Sequence, residues 1–245
     1  MQFRFIGSGD AFGSGGRFNT CFQLTGERTN VLIDCGASSV IAMKQQGISH
    51  NDIDAIFFTH YHADHFGGLP FLMLDAQFFS KRTKPLTIAG PAGLATWYGR
   101  VMETAFPGSS GTKQKFDLTM TEIAPGETRE IAGVTVTAAQ AIHGNPGGPF
   151  LSLRLEAEGR SVAYTGDTEW TDDLVGLAKG VDLFVTEAYF RDKPVKLHLD
   201  LATIEAHLPE IAPKRLILTH MSDDMLGRLG GLGYETAHDG LVVEI

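Results

Sequence analysis

Cysteine is nearly absent. Two thiols, Cys21 and Cys35, in 245 residues are too few for a disulfide framework, and their apolar surroundings favour reduced, buried thiols. Long apolar runs are missing too. None approaches the roughly 20 residues that span a bilayer, so no membrane partner is expected. Positive charge is short: Lys and Arg number 20 against 29 Asp and Glu, a formal charge of −9. That balance argues against a broad basic surface for gripping nucleic acid, though not against a local basic patch. The opening Met1-Gln2-Phe3-Arg4-Phe5-Ile6 goes straight into strand-like alternation with no leader pattern. A cytoplasmic setting is the expectation.

What is present is an ordinary globular composition, 43% hydrophobic and 20% charged, at a length that suits one large domain over residues 1–245. Apolar and alternating segments predict strands at 3–6, 21–25, 30–34, 55–59, 86–89, 119–123, 128–131, 134–139, 150–156, 161–164, 183–187, 216–219 and 241–245. Helical patterns fall at 40–46, 69–79, 94–104, 171–179 and 201–211. Gly47 is placed to end the first of them. The segment 7–19 between the first two strands is glycine-rich, and 106–115 reads as a loop. Two near-repeats stand out. Residues 55–60 are echoed by 215–220, and 30–34 by 161–167; each apolar strand delivers a ligand-type residue at its C-terminal end. The expected picture is two similar β-rich halves packed face to face, with their strand ends meeting at one rim. Coincidence of apolar strand composition is the alternative.

The chemistry concentrates in Thr59-His60-Tyr61-His62-Ala63-Asp64-His65, directly after the apolar run Ala55-Ile56-Phe57-Phe58. Alternate residues of an extended segment point the same way, so His60 and His62 can face one metal. Asp64 and His65 come where the chain should turn and can face a second. Imidazole and carboxylate are ligands of zinc and similar divalent ions. Three further residues sit at strand ends: His143, Asp167 in Tyr164-Thr165-Gly166-Asp167-Thr168, and His220. Singly, each has a plain explanation as a hydrogen-bonding or turn residue. Together they define two sites. His60, His62 and His143 would hold one ion, Asp64, His65 and His220 the other, and Asp167 would bridge them.

With these motifs in place the chain resembles the metallo-β-lactamase superfamily. The resemblance rests on the His-x-His-x-Asp-His run at 60–65, His143, Asp167 in Thr-Gly-Asp-Thr, and His220. It implies an α/β fold, an αβ/βα sandwich of two β-sheets flanked by helices, with a two-metal site at one edge. Asp34 in Leu-Ile-Asp-Cys-Gly matches the family's aspartate that orients a ligand histidine; a turn-capping role is its alternative. True β-lactamases usually lack an aspartate at the position of Asp167, so that activity is not expected. The opening Gly7-Ser8-Gly9-Asp10-Ala11-Phe12 with Arg17-Phe18-Asn19-Thr20, and Val185-Thr186-Glu187-Ala188-Tyr189-Phe190 with His198-Leu199-Asp200, are similar to the ribonuclease Z-like branch. In that branch the histidine matching His198 is the proposed proton donor, supported by a glutamate matching Glu187. Here Leu-Asp replaces the usual Ser-Thr after that histidine, which keeps a capping or surface role for His198 open. Asp200 is also placed to cap the helix starting at Leu201.

Ribonuclease Z proper carries a long glycine-rich arm that clamps tRNA. About twenty residues separate Asp167 from Glu187 here, which leaves no room for such an arm between them. The expected function is therefore a dinuclear metal-dependent hydrolase, a phosphodiesterase acting on a small cyclic or nucleotide-like phosphodiester through a metal-bridging hydroxide. Asp64, His198 and Glu187 are its expected catalytic residues. Carboxylic ester or lactone hydrolysis is the alternative, and tRNA 3′ processing is less favoured. Zinc, manganese and iron all suit the donors. A small-molecule substrate is expected, and a homodimer by resemblance only. Lys81, Arg82, Lys84, Lys113 and Lys115 offer either a phosphate-attracting rim or solvated surface charge.

Overall fold

Residues 1–145 and 148–245 are described by a computed structural model; Pro146 and Gly147, in the glycine-rich stretch after His143, lie outside the described residues. The N-terminal half supplies β1 (Gln2–Gly7), β2 (Cys21–Thr25), β3 (Asn30–Ile33), β4 (Ala55–Phe57), β5 (Leu86–Gly90) and β6 (Leu118–Glu122). The C-terminal half supplies β7 (Thr128–Ile131), β8 (Val134–Gln140), β9 (Leu151–Ala157), β10 (Arg160–Tyr164), β11 (Leu183–Glu187), β12 (Leu216–Thr219) and β13 (Glu235–Thr236). The last strand, β14 (Val242–Glu244), crosses back to pair antiparallel with β1. Among the described residues the strands form two seven-stranded sheets, ordered β14-β1-β2-β3-β4-β5-β6 and β13-β12-β11-β10-β9-β8-β7.

The apolar residues of both sheets meet in one buried layer. Phe3, Phe5 and Phe22 of the first sheet pack on Tyr164, Leu153 and Val185 of the second. Phe22 lies edge-on to Tyr164 with ring centroids 5.0 Å apart, a favoured aromatic geometry. The outer face of the first sheet is covered by α1 (Ser39–Gln45), the single turn α2 (Ala63–Phe66), α3 (Leu69–Leu74) and α4 (Leu94–Ala105). The second is covered by α5 (Asp173–Ala178), α6 (Leu201–Ile211) and the turn α7 (Asp223–Leu226). The architecture is the αβ/βα sandwich the motifs implied.

Two expectations change in detail. The helix expected over 69–79 leaves α-geometry after Leu74, and Asp75–Phe79 forms a wider turn closed by Ser80 N donating to Asp75 O at 2.9 Å. Lys44 Nζ and His50 Nε2 hold the Asp75 carboxylate where the widening starts, at 2.5 and 2.9 Å. The internal repeat is half right. β3 and β10 occupy equivalent places, each with an antiparallel neighbour on one side and a parallel one on the other. The strand in the place of β4, however, is β11, not β12. A buried parallel strand is a short apolar run wherever it sits, so the echo of 55–60 by 215–220 reflects burial rather than position.

Strands β3 and β4 are parallel, as are β10, β11 and β12. Their C-terminal ends carry Asp34, His60, Asp167, Glu187 and His220, all brought to one edge of the sandwich.

Candidate metal centre

Only Ala55–Phe57 of the apolar run is strand. His60 and His62 lie in the extended link beyond it, and Asp64 and His65 in the helical turn α2 that His62 opens. The donor atoms of His60, His62 and His143 lie within 4.8 Å of one another, and so do those of Asp64, His65, Asp167 and His220. Asp167 faces both groups. Its Oδ1 is 3.2 Å from His65 Nε2 and 3.5 Å from His220 Nε2, while Oδ2 is 3.5 Å from His143 Nε2. Asp64 Oδ2 stands 3.4 Å from both His65 Nε2 and His220 Nε2. His62 approaches through Nδ1, which lies 3.1 Å from His143 Nε2.

Close packing forces this geometry. Gly166 precedes Asp167 with φ 60°, and a Cβ there would meet Leu151 O at 2.8 Å and Thr59 Cβ at 3.1 Å. Asp34, Leu197 and His220 adopt left-handed φ of 58°, 71° and 51°, a conformation that non-glycine residues hold at a cost and that clusters at functional sites. Asp34 is fully buried. It accepts from Thr59 N and Thr59 Oγ1, both at 2.8 Å, and pairs with His65 Nδ1 at 2.7 Å. Thr59 Oγ1 in turn lies 3.1 Å from His60 Nδ1. One carboxylate therefore orients His65 directly and His60 through a hydroxyl. His143 Nδ1 donates to Leu197 O at 2.6 Å. Thr59 and Leu197 had no signal in the sequence: one is a strand-end threonine, and the other acts through its carbonyl.

The two groups differ electrostatically. Burial holds His60, His62 and His143 below the ordinary histidine range, which favours the neutral form that metal binding requires. Burial opposes charge on His65 and His220 as well. For His65 the carboxylates of Asp167, Asp64 and Asp34 outweigh it and raise the pKa; for His220, Asp167 and Asp64 raise it to about 9. Asp64 and Asp167 are held well below the carboxylate range, because the facing imidazoles overcome their burial. His60 Nε2, His65 Nε2 and Asp167 Oδ1 are buried without a hydrogen-bond partner. Such atoms are rare in folded proteins unless something else satisfies them. Three of them converging, on a set of nitrogen and oxygen donors, fit divalent metal.

Beside this cluster, His198 Nδ1 pairs with Glu187 Oε2 at 2.7 Å. Glu187 is fully buried, and its Oε1 accepts from Thr168 N at 2.7 Å and Leu199 N at 3.1 Å. Burial would lower the His198 pKa, but the hydrogen bond and charge of Glu187 outweigh it and raise it. The Tyr189 ring stacks on His198, centroids 4.7 Å apart and planes within 19°. Asp200 caps α6, with Oδ1 accepting from Thr203 N at 2.9 Å, so His198 is free of that duty. A cleft of about 240 Å³ opens over the cluster, lined by Ala11, Phe12, His62, Asp64, His143, Asp167, Tyr189, His198 and His220. Of the basic residues offered as either a rim or surface charge, none lines it. Arg82 is 2% exposed and donates to the carbonyls of His50, Ile53, Lys84 and Pro85, while Lys84 pairs with Asp54 at 2.8 Å.

Residues 1–236 match the family described as anti-Pycsar protein Apyc1. The chain belongs to this family. Ribonuclease Z of Geobacillus kaustophilus is 30% identical over 93% of this chain and 90% of its own length. The short form of human tRNase Z covers 100% of this chain and 99% of its own at 25% identity and a TM-score of 0.81. A diphosphatase from the PhnP family, 22% identical, covers 100% of this chain and 97% of its own at a TM-score of 0.78 and shares the fold. This Apyc1-family chain is thus a ribonuclease Z-like, metal-dependent hydrolase of the metallo-β-lactamase superfamily. None of its described helices is long and apolar enough to cross a membrane.

Proposed function

We propose that the chain is a dinuclear metal-dependent phosphodiesterase acting on a small cyclic or nucleotide-like phosphodiester. The observation that carries this reading is His198, paired with the buried Glu187 behind it, on the wall of the same small cleft as the ligand cluster. An alkoxide leaving from phosphorus is poor and needs a proton; an activated ester does not.

In this reading His60, His62 and His143 would hold one ion and Asp64, His65 and His220 the second, with Asp167 placed to serve either group. When bound, two such ions supply Lewis acidity toward the phosphoryl oxygens and bring the pKa of water toward neutrality. Asp34 keeps His65, and through Thr59 also His60, turned toward the cluster. Asp64 lines the cleft and orients the attacking water through a carboxylate oxygen. Glu187 fixes the His198 tautomer by accepting from Nδ1, which leaves Nε2 to carry the proton that passes to the departing oxygen as the P–O bond breaks.

The ribonuclease Z likeness favours a second reading, tRNA 3′ processing. Two features weigh against it. The Geobacillus alignment runs over 282 positions but takes in 93% of 245 residues, so about fifty positions of that relative have no counterpart here. The net charge of −9 also disfavours broad contact with RNA phosphates.

The test sets protein loaded with zinc or manganese against bis(p-nitrophenyl) phosphate, p-nitrophenyl acetate, a lactone and a precursor tRNA. Chelator-sensitive turnover of the diester, with the others at background, supports the proposal. Turnover of the acetate or lactone alone moves the reaction to carbonyl carbon and leaves His198 without its assigned task. Preferential cleavage of the tRNA establishes the second reading.

A further inference from the structure

Among the large apolar side chains of the described residues, Phe12 is the most exposed at 84%, and it lines the cleft above the ligand cluster. A lone exposed aromatic is common on protein surfaces, so exposure alone would mean little. Its mounting is unusual. The fully buried Asp10 accepts from Phe12 N at 3.2 Å, Ser14 N at 2.9 Å and Ser14 Oγ at 2.8 Å. Asn19 Nδ2 donates to Asp10 O at 3.0 Å, and Gly9 N to Phe18 O at 2.7 Å. The loop is tied into the core on both sides, and the ring at its tip is left in solvent at the mouth of the site.

Size gives the ring a task. At about 240 Å³ the cleft is smaller than the 300 Å³ or more typical of sites that enclose a drug-sized ligand. A phosphoryl group placed against the ligand cluster therefore leaves the rest of a nucleotide-sized substrate outside. Among the residues that line the cleft, Phe12 offers that part an exposed apolar ring. Tyr189, which also lines the cleft, already has a face on His198.

We propose that Phe12 is a stacking platform that selects phosphodiesters bearing a planar aromatic group, a nucleobase above all. This deepens the phosphodiesterase reading and rests on it. With its backbone held before substrate arrives, the ring has only its two side-chain torsions to restrict on stacking. Its contact lies remote from the reacting phosphorus and is made alike in ground and transition states, so its loss appears in KM rather than kcat.

The experiment measures kcat and KM of metal-loaded wild type, Phe12→Ala, Phe12→Leu and Phe12→Trp on two diesters. One is a nucleoside 3′,5′-cyclic monophosphate; the other is methyl riboside 3′,5′-cyclic phosphate, the same ring diester without a base. The Ala and Leu variants should raise KM for the cyclic nucleotide about tenfold at unchanged kcat, Trp should retain the wild-type KM, and the base-free diester should be indifferent to all three. Equal losses on both diesters, or no loss on either, overturn the proposal. If wild type turns over neither diester, the phosphodiesterase reading fails, and the platform is judged by calorimetric binding of a nucleoside 5′-monophosphate against ribose 5-phosphate. Tighter binding of the nucleotide that Phe12→Ala abolishes sustains it; equal binding of the two overturns it.

Discussion

Replacing Asp34 by asparagine isolates one carboxylate charge in a buried position. The backbone tolerates the change, because Asp34 sits at φ 58°, where asparagine is nearly as acceptable as aspartate. Shape is preserved and the hydrogen bonds are not. The carboxylate satisfies three groups: Thr59 N on Oδ1, and Thr59 Oγ1 and His65 Nδ1 on Oδ2. An amide must turn its NH2 toward one side. Facing His65, it opposes the Nδ1–H donor; facing Thr59, it opposes the backbone N–H. Either way a buried donor loses its acceptor. Removing a hydrogen bond to a charged group costs about 1.5–3 kcal/mol. A misdirected His65 should weaken metal binding roughly 10- to 100-fold, which is about 1.4–2.7 kcal/mol, so the two magnitudes agree. Competition against a chromophoric chelator gives the zinc affinity, and calorimetry of the metal-free protein gives its Tm. Affinity within about twofold of wild type would refute the orienting role of Asp34. A fall in Tm with affinity unchanged would assign it to folding instead.

Four other predictions follow from the structure. Because Glu187 raises the His198 pKa, the acid form persists above the ordinary 6.5; phosphodiesterase activity should fall as pH rises through the raised value, and Glu187→Gln should move that limb to lower pH. His198→Ala should cost about 10²- to 10⁴-fold on diesters with alkyl leaving groups and far less on p-nitrophenyl diesters; equal losses would remove it as the acid. Gly166→Ala drives a Cβ to 2.8 Å from Leu151 O at φ 60° and should destabilise by more than about 1 kcal/mol with loss of bound metal, so a wild-type Tm and full metal content would contradict the packing described. Phe22→Ala, in the layer between the sheets, should lower unfolding free energy by about 3–5 kcal/mol in urea titration while the folded fraction keeps its metal.

Much of the site was legible because the relevant information is local. The spacing of His60, His62, Asp64 and His65 is a property of one short run, and apolar strands ending in Asp167 and His220 announce residues delivered to a sheet edge. The Asp200 cap could be read from its place before Leu201. Other features needed the folded chain. His143 is fixed by the carbonyl of Leu197, 54 residues away in sequence and silent in any motif. Arg82 belonged by composition to a basic cluster, yet four buried carbonyls claim its guanidinium. The turn widened at Asp75 depends on Lys44 and His50 reaching it from an earlier helix and turn.

By itself the sequence named the candidate ligand and proton-transfer residues, showed that the chain alternates strands and helices in two halves, and marked its strand ends as the place where chemistry should collect. Side-chain type and strand periodicity are written residue by residue, so no long-range contact is needed to read them. Tertiary structure decided how those residues are shared. It put Asp167 between two groups, joined Asp34 to both His65 and Thr59, paired Glu187 with His198, and left Phe12 exposed above a cleft. Each of those outcomes depends on the distance between segments far apart in the chain, and that distance is set by how two twisted sheets and their helices pack.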